Sequence, residues 1–119
     1  MRNKTRVNRI AIQKMIDYCG KVEILIDRFG GTLEKFEADF AFQMSCSMCI
    51  LQIGELTTRL TEEFKAQHSE IPWNAIKSLR NIHAHEYEKV DFEELWKILA
   101  EDIPALKKSL EEILEPVEN

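Results

Sequence analysis

Apolar residues recur at steps of three and four along most of the chain, which is the spacing of one face of an α-helix. The first such run covers residues 7–29 and is followed by two glycines at 30–31. Glycine readily adopts the left-handed conformation that ends many helices, so we expect the first helix to stop there. After a short connector, Asp39 is placed to cap a second helix, which we expect to continue to about Lys65.

The predicted second helix is apolar in more than one direction. One apolar stripe consists of Phe40, Met44, Met48, Leu51, Leu56, Leu60 and Phe64. A second apolar set, which widens this face, consists of Ala41, Cys49, Ile50 and Ile53. Such a helix must be covered on more than one side, either as the central helix of a bundle or by a second subunit. Gly54 lies within it, where glycine costs about 1 kcal/mol relative to alanine. Close approach of another backbone is the usual compensation.

Two further helices follow. Pro72 suits the start of a third helix that we expect to reach about His85. Asp91 and Glu94 have the spacing of a capping box and open a fourth helix, in which Pro104 predicts a kink rather than an end. The apolar stripe of this helix consists of Phe92, Trp96, Leu99, Ile103, Leu106, Leu110 and Ile113. The pattern predicts an all-α fold, a bundle of four main helices in one domain, residues 1–119.

Composition agrees with a globular helical protein. The chain has 119 residues, 45% apolar and 31% charged, with only four glycines and three prolines, too few for a turn-rich all-β fold. No apolar run approaches the roughly 20 residues that span a bilayer. The N-terminus lacks the uninterrupted apolar core of a secretory signal, so we expect a cytoplasmic protein without a membrane-spanning segment.

The three cysteines do not predict a disulfide framework, which needs pairs and a secreted context. Cys46 and Cys49 have the spacing of a zinc or redox pair, but the sequence contains no second pair to complete a metal site. They lie within an apolar helical pattern together with Cys19 earlier in the chain. We therefore expect buried, unreactive thiols and no metal site.

Charge is distributed unevenly. Residues 1–35 contain eight Lys and Arg against four Asp and Glu, whereas residues 36–119 contain eight against seventeen. Arg2, Lys4, Arg6 and Arg9 precede every acidic residue. Such a cluster can contact phosphates, although a solvated terminus explains it as well.

The segment SLRNIHAHEYEKVD, residues 78–91, concentrates candidate chemistry. Arginine binds phosphate oxygens through a planar, permanently charged group, and histidine exchanges protons near neutral pH. Cleavage of RNA through its own 2′-hydroxyl needs these two abilities and no obligatory metal ion. One copy of the segment offers one well-placed histidine, whereas two copies across a two-fold axis offer two histidines and two arginines.

Spacing alone also permits a structural interpretation. Arg80 and His85 do not share a face of an ideal helix, so they converge with Tyr87 only where the helix loosens. Histidine is common at helix C-termini, where it meets the negative end of the dipole. Tyr87 can equally be a half-buried aromatic residue and Asn81 a packing amide, and the glutamates that flank Tyr87 disfavour nucleic acid nearby.

The segment resembles the Arg-x4-His-x-Tyr motif of HEPN domains, specifically the HepT-like toxins of toxin–antitoxin pairs. The sequences ILQIGE at 50–55, EIPW at 70–73 and DFEELWKILAEDIPAL at 91–106 resemble segments of that family in the same order. The resemblance covers roughly residues 8–115.

The resemblance implies a homodimer with both motifs in a shared cleft, which acts as a metal-independent ribonuclease and needs no cofactor. Arg80 would bind phosphate, His85 would transfer protons, and Asn81 would match the polar residue that often follows the arginine. His83 replaces a commoner aliphatic residue; it would be either a second proton carrier or an interface residue, and we favour the interface role. The implied partner is a minimal nucleotidyltransferase antitoxin that binds the protein and transfers AMP to Tyr87.

Two alternatives remain open at this point. The chain can be a non-catalytic binding module that serves as accessory subunit and modification substrate of a nucleotidyltransferase. It can also be a structural dimer with a degenerate site, although the intact set of Arg80, His85 and Tyr87 argues against that.

Overall fold

The computed structural model describes residues 2–81 and 91–118, with side chains in 4–81 and 91–114. These ranges contain the helices α1 (Arg2–Phe29), α2 (Leu33–Ala38), α3 (Phe40–Thr57), α4 (Glu62–Gln67), α5 (Trp73–Lys77), α6 (Phe92–Lys97) and α7 (Ile103–Glu118). A 3₁₀ turn, Ser78–Asn81, continues α5, and a π-helical turn, Ile98–Asp102, joins α6 to α7. No strand occurs in the described ranges, and the predicted all-α helical bundle is confirmed.

The first predicted helix ends where the glycines indicate. Gly30 has a φ of 110°, and its amide donates to the carbonyl oxygen of Ile26 at 2.8 Å. Only glycine adopts such a φ without strain, which explains the stop. The helix begins at Arg2, earlier than the apolar pattern from Val7 suggests.

The connector after Gly30 contains α2, a short helix that was not predicted. The Thr32 side chain caps it by accepting from the amide of Lys35 at 3.3 Å. Phe36 in α2 is fully buried and packs edge-to-face against Phe42 of α3. Six residues are too few for a periodic pattern to stand out, so α2 becomes visible only through this packing.

α3 begins as predicted, because the Asp39 carboxylate accepts from the amides of Ala41 and Phe42. Its predicted end at Lys65 is wrong, since the helix ends at Thr57. The Thr61 side chain caps a new helix, α4, by accepting from the amide of Phe64 at 3.2 Å.

Asn8 of α1 holds the break between α3 and α4. Its amide nitrogen donates to Thr61 Oγ1 at 3.1 Å, and its Oδ1 accepts from the Thr61 amide at 3.0 Å. These two bonds give the amide and hydroxyl groups of Thr61 hydrogen-bond partners that a continuous helix would not provide. The side chains thereby compete with helical hydrogen bonding, and the helix breaks.

α3 has one buried and one exposed face. The core, to which α1 and α7 contribute, includes Cys49, Ile50 and Ile53 of the second predicted set, together with Phe42 and Cys46. The first stripe was expected to be covered, yet within this chain its N-terminal half is exposed, at Phe40, Met44 and Met48.

The fourth predicted helix is confirmed at its start. The Asp91 carboxylate accepts from the amides of Glu93 and Glu94, and α6 begins at Phe92. Pro104 does not end the helix, as predicted. The departure from α-helical bonding lies directly ahead of it, where the Ile103 amide donates to Ile98 in the π-helical turn.

No helix in the part of the chain that the structure describes is both long enough and apolar enough to cross a bilayer.

Candidate active site

α5 leads the chain from the end of α4 to the surface of α3. The indole nitrogen of Trp73 donates to the carbonyl oxygens of Lys65 and His68, at 3.2 and 3.0 Å, and this fixes the start of α5. Ile76 is buried one turn later. The 3₁₀ turn that follows carries Arg80 and Asn81.

Gly54 allows this turn to lie directly on α3. A Cβ atom at Gly54 would be 2.7 Å from the backbone nitrogen of Arg80 and 3.1 Å from the carbonyl oxygen of Ile76. Carbon atoms do not pack that closely against backbone, so a larger residue would displace the turn. The predicted close approach of another backbone to Gly54 is confirmed, and the backbone in question is that of Arg80.

The Arg80 side chain is held at the surface beside Glu55, the residue after Gly54. Its Nη1 lies 3.8 Å from Oε1 of Glu55, and the two side chains are 40% and 50% exposed. A separation of 3.8 Å is too long for a good hydrogen bond, so the contact is an ion pair. The Arg80 side chain is 40% exposed, so its guanidinium can be reached by an anion from solvent.

The structure describes two of the five predicted site residues. Arg80 and Asn81 lie at the end of the 3₁₀ turn, and Asn81 is exposed. His83, His85 and Tyr87 lie outside the described residues, as does the predicted end of the third helix near His85. Their convergence with Arg80 stays a prediction.

Glu55 is a neighbour of the site that the sequence analysis did not single out. It lies 25 residues before Arg80 in the sequence, and nothing in the sequence indicates that the two charges are neighbours. The available signal was Gly54, because a glycine in a helix interior indicates close approach of another segment. The identity of that segment needs the fold.

The cysteines are buried and free, as predicted. Burial, the largest cause in each case, raises the pKa of Cys19 and of Cys46 to about 12. It also raises the pKa of Cys49. Thiols that stay protonated at neutral pH are poor nucleophiles and poor metal ligands. Among the described side chains, no cluster of His, Cys, Asp or Glu is placed to hold a metal ion.

The basic N-terminus borders a different part of the molecule. Lys4 and Arg9 line a groove of about 750 Å³ between the start of α1, α4 and the C-terminal part of α7. Three glutamates, Glu63, Glu70 and Glu112, line the same groove. The mixed charge does not favour a phosphate backbone there.

Comparison with known proteins matches most of the chain to one family. The family model described as "Ribonuclease HepT-like" matches residues 12–113. A protein of Caldanaerobacter subterraneus subsp. tengcongensis named "Putative RNase" is 34% identical over 94 residues, covering 78% of this chain and 84% of that protein. A protein of Thermococcus cleftensis named "Probable ribonuclease HepT" is 36% identical over 80 residues, which cover 67% of this chain and 73% of that protein. No solved structure gives a significant match to the chain.

Proposed function

The chain belongs to the ribonuclease HepT-like family, and on that premise we propose that it is a ribonuclease that cuts RNA through the RNA's own 2′-hydroxyl group, without a metal ion. The observation that carries the proposal is the family match over residues 12–113, which includes the whole segment 78–91. The relatives named as ribonucleases match most of their own length, which supports the same activity.

Arg80 and His85 carry the chemistry in this proposal. The Arg80 guanidinium binds the scissile phosphate and stabilises the charge that builds up on it. A histidine takes the proton from the 2′-hydroxyl while the 2′-oxygen forms a bond to phosphorus. The bond between phosphorus and the 5′-oxygen then breaks. A proton returned to that oxygen completes the step. One fragment then ends in a 2′,3′-cyclic phosphate and the other begins with a 5′-hydroxyl.

Two histidines are needed if one removes and another donates the proton, which favours a composite site between two copies of the chain. The exposed stripe of Phe40, Met44 and Met48 on α3 supports an interface, since large exposed apolar side chains mark contact surfaces. Glu55 lies on the same helix, about two turns beyond Met48. In this arrangement, Asn81 and His83 are supporting residues beside the shared cleft.

The proposed biological role is that of the toxin in a toxin–antitoxin pair. A minimal nucleotidyltransferase would neutralise the protein by binding and by transferring AMP to Tyr87. An AMP group adds bulk and negative charge beside Arg80, where the RNA phosphate should bind. The proposed location is the cytoplasm, because the proposed substrate is cellular RNA and the cysteines are free rather than paired in disulfides.

Incubation of the purified protein with cellular RNA in EDTA tests the proposal. Cleavage by the wild type, and none by an Arg80→Ala/His85→Ala variant, is expected. Intact RNA with both proteins would favour the binding-module alternative. Equal cleavage by both would show that a contaminant or another site cuts the RNA.

A further inference from the structure

Arg80 is placed by its backbone as well as by its side chain. Its amide nitrogen and its Cβ would lie 2.7 Å and 3.2 Å from a Cβ atom at Gly54. The 3₁₀ turn therefore occupies space on α3 that exists only because residue 54 is glycine. Glycine is unfavourable inside a helix, and the other interior helical glycine, Gly20, has no neighbour within 4 Å of the corresponding position. The close packing is specific to the turn that carries Arg80.

The side chain of Arg80 meets a carboxylate from the adjacent residue of α3. Exposed ion pairs stabilise a fold little, so the 3.8 Å contact between Nη1 and Glu55 Oε1 has little effect on stability. The attraction favours orientations of the guanidinium in which Nη1 lies toward Glu55. A phosphate takes two donors in a bidentate contact, which leaves enough of the five for both partners.

We propose that Gly54 and Glu55 are positioning residues for Arg80. Gly54 sets where its backbone lies, and Glu55 sets the direction in which its guanidinium meets the RNA phosphate. The inference rests on the proposed ribonuclease function and adds two residues to it, both on α3 and both outside the segment 78–91. Neither residue touches the reacting atoms, and each acts through Arg80.

The two glycines give a matched pair of variants. Gly54→Ala should lower kcat by about tenfold or more, because displacement of a catalytic group by about 1 Å can cost up to a hundredfold in rate. Gly20→Ala should leave kcat unchanged. Equal activity of the two variants, both folded by circular dichroism, would overturn the role of Gly54. If Gly54→Ala does not fold, the Glu55 variants decide.

Glu55→Ala should lower kcat about tenfold by the same orientation argument and leave KM for a mixed-sequence oligoribonucleotide unchanged or lower. KM does not rise because the variant removes a negative charge from beside the phosphate. Glu55→Gln keeps an oxygen acceptor, so its kcat should lie between those of the wild type and Glu55→Ala. Glu62→Ala is the control, since Glu62 is an exposed glutamate that pairs with a different cation, Lys65, at 3.1 Å. Higher activity of Glu55→Ala than of the wild type would show that Glu55 competes with the phosphate instead.

A double-mutant cycle with Arg80→Lys separates positioning from general structure. Lysine lacks the planar fork, so Glu55→Ala should have almost no additional effect in that background. A loss as large as in the wild type would overturn the inference. The Arg80→Ala variant separates this outcome from failure of the proposed function. If Arg80→Ala is inactive while Glu55→Ala is fully active, only the positioning inference fails. If Arg80→Ala is active, the proposed site fails.

Discussion

At the residue scale, the two histidines of the segment have different expected roles. His85 is the proposed proton carrier, so His85→Ala should lower RNA cleavage by about 10²–10⁴-fold. His83→Leu should have almost no effect, because we expect His83 to be an interface residue, and leucine provides an apolar side chain for such a contact. A fluorogenic oligoribonucleotide assay on both variants measures this. The reverse outcome would assign the catalytic role to His83.

Tyr87 is the proposed modification site. The wild-type chain should gain the mass of AMP when incubated with its cognate nucleotidyltransferase, ATP and magnesium, and should then stop cutting RNA. Tyr87→Phe should gain no mass, because it lacks the hydroxyl group, and should keep the phosphate-binding and proton-transfer groups. Intact-mass spectrometry measures both. Added mass on Tyr87→Phe would place the modification elsewhere.

The buried thiols predict a loss of stability at alkaline pH. The pKa of Cys19 and of Cys46 is about 12 in the folded chain, against an ordinary value of 9.0. Above about pH 9 the unfolded chain releases these protons while the folded chain retains them, so the free energy of unfolding falls between pH 9 and 12. Urea titrations at several pH values should show a smaller fall for Cys19→Ala/Cys46→Ala than for the wild type. An identical fall would mean that other groups cause it.

At the element scale, periodicity predicted the long helices but not how they are interrupted. The end of α1 at Phe29 follows from the glycines after it. The starts of α3 and α6 follow from the capping residues Asp39 and Asp91. The break after Thr57 could not be predicted, because it depends on hydrogen bonds between Asn8 and Thr61, which are distant in sequence. A pattern of apolar residues also does not distinguish a face that meets the core from one that meets solvent or a partner.

α3 is the element on which the proposed dimer depends. Phe40, the most exposed large apolar residue among those described, is 76% exposed, and Met44 and Met48 follow it at successive turns. A Phe40→Ser/Met44→Lys variant should be monomeric and inactive, because a charge and a hydroxyl replace the apolar surface. Light scattering should give 13.9 kDa for this variant and twice that mass for the wild type.

Ile24→Lys provides the control, since Ile24 is an exposed apolar residue on α1. It should stay dimeric and active. A wild-type protein that is monomeric at micromolar concentration would contradict the composite site. A stripe variant that stays dimeric would assign the interface to another surface.

At the scale of the whole molecule, the fold class and the family could be predicted from the sequence, while the surroundings of the site could not. The residue types in segment 78–91 make Arg80 a candidate, and the family resemblance gives it the expected phosphate-binding role. Its contact with Glu55 arises only when α5 folds back onto α3 at Gly54. The sequence therefore predicts candidate residues, whereas tertiary packing shows which residues lie beside them.

The central claim is that this chain cuts RNA by attack of the 2′-hydroxyl at a site containing Arg80 and His85. Mass spectrometry of the fragments from a defined oligoribonucleotide, cut in EDTA, tests it most directly. We expect 2′,3′-cyclic phosphate and 5′-hydroxyl ends with the wild type, and no fragments with Arg80→Ala/His85→Ala or with the all-deoxy oligonucleotide. Fragments with 5′-phosphate ends, or the same fragments from the double variant, would contradict the claim.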